Sequence, residues 1–440
     1  MNNFNRRAFL KQLTVASLSA PFITRDLLAA SPGNILRHAS FGTDGMAGSD
    51  ISALTANHFV KLVAVADVDS DRAAKLKKKF PEVKVYVDWR ELLDKEEKNI
   101  DSVNVSTPDH MHAPIGMSAM QLGKHVYGQK PLAHEIFEVR QMAVRAREKN
   151  LVTQMGIQIH SNIEYRMAVQ LVQEGVIGKI KEVHAWSGKK WGDPNPRPAW
   201  SDPAPKALHW DLWLGVVSER PFIGEGYYHP ANWRKRLDFG TGTFGDMGCH
   251  IYDPVFKALE LTAPISLRSE GPTPNAYNWA NNAIIHYVFP GNKLTEGETV
   301  KVTWYDGDRR PAAEIQSLLE GDKLPDQGSI FVGTKGALLL PHVARPQLYP
   351  DSQFKSFTFP KLAHQDHWTQ FAEACRGNGK TSAGFDYAGP LTETVLLGGV
   401  ATRFPHTTLE WNTAELKFNL ADANALLRRK YRKGWEVAGL

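Results

Sequence analysis

The stretch DFGTGTFGDMGCHIYD, residues 238–253, sets an aspartate and a histidine four residues apart among four glycines. On a helix, residues i and i+4 share a face, so Asp246 and His250 meet there. Histidine titrates near neutral pH, which suits His250 to accept or return a proton, and a carboxylate beside it can orient the ring or bind a hydroxyl. The glycines are expected to let the backbone turn closely around a ligand. Asp253 extends the same face, but no further donor completes a shell around Asp246, His250 and Asp253, so no metal is expected. Two cysteines, Cys249 and Cys375, offer neither a disulfide framework nor a zinc spacing.

The elements that must position this pair begin upstream. After a modest strand, NILRHASF, the runs FVKLVAVADVD (59–69), SVNVSTP (102–108), KHVYGQKP (124–131) and LVTQMGIQI (151–159) read as buried strands separated by helical patterns. That alternation predicts a parallel, doubly wound sheet with its ligand beyond the carboxyl ends of the strands. The first turn, SFGTDGMAGSD, departs from G-x-G-x-x-G, because Asp44 stands in the second glycine's place and Ala47 in the third's. Gly42, Thr43, Gly45 and Met46 are the expected cofactor contacts in this turn. Asp67 ends the next strand, where an acid accepts the adenosine ribose hydroxyls and repels a 2′-phosphate, so NAD is expected over NADP.

The segment STPDHMHAPIGMSAMQLGKHVYGQKPLAH (106–134) holds Thr107-Pro108 with His112, and Gln129-Lys130-Pro131. It resembles the glucose-fructose oxidoreductase and inositol dehydrogenase family (Gfo/Idh/MocA), which carries Thr-Pro-x-x-x-His and Glu-Lys-Pro at these places. Gln129 replaces that glutamate and removes a charge beside the lysine. The segments GIQIHSNIEYRMAVQ, WDLWLG, YYHPANWRKRLDFGTGTFGDMGCHIYD, LLGGVATRF and LEWNTAEL extend the resemblance over most of residues 34–435.

The resemblance implies an α/β Rossmann dinucleotide-binding domain over 34–159. An α+β domain with an open, mostly antiparallel sheet follows over 160–435, and its last helices return to the first domain. It implies an NAD cofactor, a small carbohydrate or polyol substrate (sugar, glycoside or cyclitol), and a homo-oligomer; tight retention of NAD is expected because a chain exported folded through an Arg6-Arg7 signal leaves the cofactor's supply behind. Lys130, Asp246 and His250 take the positions of the family's catalytic trio. Thr107, Pro108, His112, Gln129 and Lys130 are implied to face the cofactor. In this reading His250 removes the carbinol proton, Lys130 bonds the same oxygen, and Asp246 orients the imidazole or binds a neighbouring hydroxyl; lysine and histidine can exchange roles. Substrate contacts are expected from His160, Tyr165, Trp186, Lys190, His229 and Arg234, under a stiff proline-rich loop, KWGDPNPRPAWSDPAPK. A second reading is an NAD-dependent glycosidase or lyase that oxidises, eliminates and re-reduces, with Tyr165, Tyr227, His160 or His229 as its second base.

Composition bounds these expectations. The 440 residues are 42% hydrophobic and 22% charged with a net charge of +5, enough for two domains and without a basic stripe for nucleic acid. The N-terminal NRRAFLKQL, with Arg6 and Arg7 before an apolar run, resembles a twin-arginine export signal spanning residues 1–30. A periplasmic location without a stable membrane anchor is therefore expected.

Overall fold

The computed structural model describes residues 35–440, so the twin-arginine segment lies outside the described residues. Six strands form the first sheet: β1 (Leu36–Phe41), β2 (Val60–Ala66), β3 (Lys84–Tyr86), β4 (Ser102–Val105), β5 (His125–Gly128) and β6 (Thr153–Met155). Their order is β3-β2-β1-β4-β5-β6 and every pairing is parallel. Strands covered by helices on both faces read as continuous apolar runs, and β4 is buried along its whole length. Edge strand β3, KVY, carries no such run and does not show in the sequence pattern. The order reverses between β1 and β4, which opens a crevice at their carboxyl ends.

The second sheet has nine strands in the order β13-β12-β11-β7-β10-β9-β8-β14-β15. They are β7 (Ile180–Ser187), β8 (Ser266–Glu270), β9 (Ile284–Pro290), β10 (Thr299–Asp306), β11 (Gln327–Gly333), β12 (Ala337–Pro341), β13 (Gln347–Tyr349), β14 (Thr408–Asn412) and β15 (Lys417–Phe418). All neighbours are antiparallel except β7 with β10. Strand β9 shows the alternation that one buried face imposes, with Ile285, Tyr287 and Phe289 turned inward.

The helix Gly242–Ala258 lies on that inner face, where Phe244 packs on Trp304 and Tyr252 on Tyr287. Helix His367–Cys375 packs against Met46–Thr55, and Phe385–Ala401 against Ile136–Glu148, so the end of the chain returns to the first domain and one core joins the two. A reciprocal capping box of Glu135 and Glu138 starts the Ile136 helix. Among the described residues no helix is long and apolar enough to cross a membrane.

Candidate active site

A cleft of about 610 Å³ runs from the Gly42 turn, at the switch point, to His250 on the second domain's helix. At its first end, Gly42 has φ +97, and a Cβ there would stand 2.6 Å from the Ser106 carbonyl oxygen, so only glycine lets the turns after β1 and β4 come together. The Met46 helix begins at Gly45 with no acid in its first turn and, among the described residues, no side chain capping its first N–H groups. Those N–H groups are therefore free to receive a phosphate. Asp44, the departure from the glycine pattern, accepts the Gly45 N–H at 2.8 Å and faces Arg72 at 3.9 Å.

Asp67 is held from three sides: its Oδ2 accepts the Thr43 N–H at 2.9 Å and the Thr43 hydroxyl at 2.6 Å, and its Oδ1 accepts the Asp69 N–H at 2.9 Å. Burial pushes its pKa up against those hydrogen bonds. The glycine cradle, the uncapped helix start and this acid together fit a dinucleotide.

Gln129 does not serve Lys130's charge. Its amide donates to Asp50 Oδ2 at 2.9 Å, where Ser106 also donates at 2.8 Å, while the Trp368 indole donates to Oδ1 at 2.9 Å. Burial raises the Asp50 carboxyl to about 6 against these three donors. A glutamate at position 129 would meet Asp50 as a like charge, which gives the substitution its physical reason. Each ring nitrogen of His112 lies 2.7 Å from a carbonyl oxygen, of Pro131 and of Thr107, and so ties the Lys130 turn to the Thr107-Pro108 turn.

At the other end Lys130 Nζ donates to the Asp246 carbonyl and to Asp246 Oδ1, both at 2.7 Å. An ammonium has three donors, so one remains for a ligand oxygen. Asp246 Oδ1 also accepts from Arg234 Nε at 3.2 Å, and Oδ2 accepts from the Trp191 indole at 2.8 Å with Lys189 Nζ at 3.7 Å. Burial would raise this carboxyl, but Lys130, Arg234 and Lys189 hold it far below the usual carboxylate range.

Asp246 therefore positions the lysine and does not orient the imidazole. His250 Nδ1 is buried with no hydrogen-bond partner among the described residues, and its ring centroid lies 6.1 Å from that of His342. Burial first, then the charge of Lys130, keeps His250 well below its ordinary value and hence neutral. His342, lowered to about 4 by burial and by Lys189 and Lys130, is paired through Nδ1 with the Tyr165 hydroxyl at 2.6 Å.

The glycines of the opening stretch face protein and not ligand. A Cβ on Gly245 would meet the Thr241 hydroxyl at 1.8 Å, and one on Gly240 would meet Arg234 Cα at 2.5 Å. Their bareness draws the Arg234 segment onto the helix, and Arg234 onto Asp246.

The structure divides the expected substrate contacts. Arg234 and His229 line the cleft, but His229 bonds Asp69 at 3.1 Å, at the Asp67 end. His160, bonded to Asp253 at 2.9 Å, and Tyr165 line a separate cavity of about 450 Å³. Trp186 is fully buried and its indole donates to the Pro325 carbonyl at 2.8 Å. Lys190 pairs with Asp308 at 2.7 Å, away from the cleft. Residue alternation after β7 explains the last case: Lys189 and Trp191 enter the cleft and Lys190 between them turns out. The proline-rich loop is held near its start, with Asp193 on Arg236 at 2.8 Å and the Asn195 carbonyl accepting from Asn278 at 2.9 Å, and it contributes Trp191 to the cleft lining. Lys189 and Trp191, the neighbours of Lys190, are the cleft residues that sequence alone does not single out, because which of three consecutive residues turns inward is set by the register of β7 against distant strands. Among the described residues no cluster could hold a metal ion.

A glycine turn, an uncapped helix start and a strand-end acid, in one switch-point cleft with Lys130, Asp246 and His250, have the arrangement of a dinucleotide-binding protein. Residues 36–157 match the oxidoreductase family, NAD-binding Rossmann fold (Gfo/Idh/MocA), and residues 167–437 match its C-terminal alpha/beta domain. The chain belongs to that family. It is 29% identical over 191 residues to levoglucosan dehydrogenase of Pseudarthrobacter phenanthrenivorans, covering 43% of this chain and 40% of that one. It is 26% identical over 210 residues to alpha-N-acetylgalactosaminidase of Shewanella oneidensis, covering 41% and 45%. The match thus spans less than half the length of these curated relatives. The fold is shared with the WlbA dehydrogenase of Bordetella pertussis, solved with NADH and UDP-GlcNAcA, at TM-score 0.62 and 14% identity over 86% of this chain and 99% of that one.

Proposed function

We propose that this protein is an NAD-dependent dehydrogenase or oxidoreductase of a sugar, glycoside or cyclitol carbinol. The observation that carries the reading is one cleft with the Gly42 cradle at one end and the free donor of Lys130 beside neutral His250 at the other. When bound, the nicotinamide supplies the acceptor for the hydrogen that leaves carbon with its electron pair. His250 takes the hydroxyl proton, and its neutrality makes it a competent base. The remaining Lys130 N–H donates to the carbinol oxygen and stabilises its developing negative charge, while Asp246 fixes the ammonium in place. The walls of Trp191, Trp213 and Trp233 exclude water and offer a flat face to a sugar ring.

NAD is preferred to NADP in this reading because Asp44, Asp67 and Asp69 surround the ribose end with Arg72 alone to offset them. Asp67→Ala is expected to weaken NAD about 10- to 100-fold and to narrow its advantage over NADP, as one charged hydrogen-bond acceptor is worth about 1.5–3 kcal/mol. Titration of both cofactors checks this, and tighter NADP binding by the unaltered chain contradicts it.

His342 favours one alternative, the glycosidase or lyase course, since elimination needs a second neutral base near the first and His342 stands beside His250. Incubating NAD-loaded protein with free sugars and with aryl glycosides separates the two. A carbonyl product formed only with a hydrogen acceptor present marks the dehydrogenase, aglycone release without one marks the alternative, and neither product from either set refutes both. Export is proposed from Arg6 and Arg7; unchanged export of the Arg6→Lys, Arg7→Lys chain removes that proposal.

A further inference from the structure

The reacting end of the cleft holds more positive charge than a neutral carbinol requires. Lys130, Lys189 and Arg234 converge on the single carboxylate of Asp246. The other carboxylate at this end, Asp109, is buried and accepts the Thr241 hydroxyl at 2.7 Å. Even with Asp109 counted, the wall keeps one cation more than it has carboxylates, and His250 in it, with His342 6.1 Å away, is held neutral. The opposite end has the reverse sign, with Asp44 and Asp67 against Arg72 in its lining and Asp69 paired with Arg72 at 3.3 Å.

The surplus is presented to the cleft. Lys189 is 43% exposed and Arg234 27%, whereas Asp246 is 9% exposed, so the cations stand in front of the carboxylate that they share. Arg234 spends only Nε on Asp246, and its two terminal nitrogens have no protein partner among the described residues. Its guanidinium lies 4.3 Å from the Trp233 ring centroid and 5.5 Å from that of Trp191, which holds the planar fork in a fixed attitude. A flat, held, half-used guanidinium beside a loosely paired ammonium matches a carboxylate, which takes two parallel N–H donors. An unmatched partly buried cation is costly unless a ligand supplies its counter-charge.

We propose that the substrate is an anionic sugar, bearing a carboxylate that Arg234 and Lys189 bind while its reacting carbinol lies at Lys130 and His250. This rests on the carbinol-oxidising reading above and names its substrate class. The test uses the NAD-loaded full chain and matched methyl glycosides: glucoside with glucuronide, galactoside with galacturonide, mannoside with mannuronide, and each neutral sugar's 6-phosphate. Dissociation constants come from calorimetry and kcat/KM from product formation.

In at least one pair the uronide is expected to exceed its neutral partner about tenfold in kcat/KM, chiefly through KM, with the advantage shrinking as salt is raised. Arg234→Lys, which keeps the charge and loses the fork, and Lys189→Gln are each expected to cost the uronide about tenfold more than they cost the neutral glycoside. Neutral partners that do as well in every pair overturn the proposal, as does a preference unmoved by both substitutions. A 6-phosphate that outperforms the uronide overturns the carboxylate assignment. Tighter binding of a uronide without turnover of any sugar upholds the anion site and refutes the dehydrogenase reading, and no binding by any member of the set overturns the anion site.

Discussion

Lys130→Met and His250→Asn are each expected to lower turnover by about 10²–10⁴-fold, the range for loss of a positioned acid-base group or a preorganised charge-stabilising donor. Affinity for NAD should change little, because the Gly42 turn, the Met46 helix start and Asp67 are untouched. The fold should survive Lys130→Met, since Asp246 keeps Arg234 at 3.2 Å, the Trp191 indole at 2.8 Å and Lys189 at 3.7 Å. Among the described residues His250 Nδ1 has no hydrogen-bond partner to lose. Asp246→Asn differs: it leaves three cations without their shared carboxylate and should destabilise the protein by a few kcal/mol as well as misplace the lysine, about 3–5 kcal/mol being usual when one partner of a buried pair is removed. Steady-state kinetics and thermal unfolding on the same preparations check these expectations. Near-normal turnover in both Lys130→Met and His250→Asn removes the pair from the chemistry.

The pH profile should carry a second large effect. Burial, and then the positive charge of Lys130 and Lys189, disfavours the imidazolium of His250, so its pKa falls well below the ordinary 6.5. A lowered pKa means that the base form predominates at every pH above it. Carbinol oxidation should therefore hold steady as pH falls through 6.5 and decline only well below that value. Lys189→Met removes one of the charges that disfavour the imidazolium, so the acidic limb should move toward higher pH. A wild-type limb centred on the ordinary histidine value, unmoved by Lys189→Met, contradicts the assignment of His250 as a buried neutral base.

Local pattern carried much of this architecture. Strand β2 is legible from its own apolar run, VKLVAVA, and β1, β4, β5 and β6, which carry polar residues such as Arg37, Asn104, His125 and Gln154, from the helical patterns that separate them, whereas edge strand β3 is short, partly charged and set by its neighbours alone. In the second domain β8, β9 and β14 alternate, β7, β10, β11 and β12 are buried on consecutive residues along much of their length, and β13 and β15 are too brief to have a period. At the site, Lys130, Asp246 and His250 are legible as types, and the i, i+4 spacing rightly puts two of them on one helix. Their partnership is not legible. Spacing alone suggests an Asp246-His250 pair, yet the carboxylate is taken by Lys130, Arg234 and Trp191, contributed by three other segments. The same limit separates Trp186, buried within the sheet, from Trp191, five positions on, whose indole reaches the cleft. Which residue of an extended segment faces a ligand depends on register against distant strands.

The central claim, that this cleft moves hydrogen from a sugar carbinol to a nicotinamide, is tested most directly with deuterium. Sugars or glycosides bearing deuterium on the carbinol carbon are mixed with the NAD-loaded protein, quenched within one turnover, and the released cofactor is weighed by mass spectrometry. The account predicts reduced nicotinamide carrying one deuterium in the unaltered protein, whether the reaction then ends in a carbonyl product or in elimination, and none in His250→Asn. Cofactor that remains oxidised and unlabelled while the protein converts the sugar would contradict it.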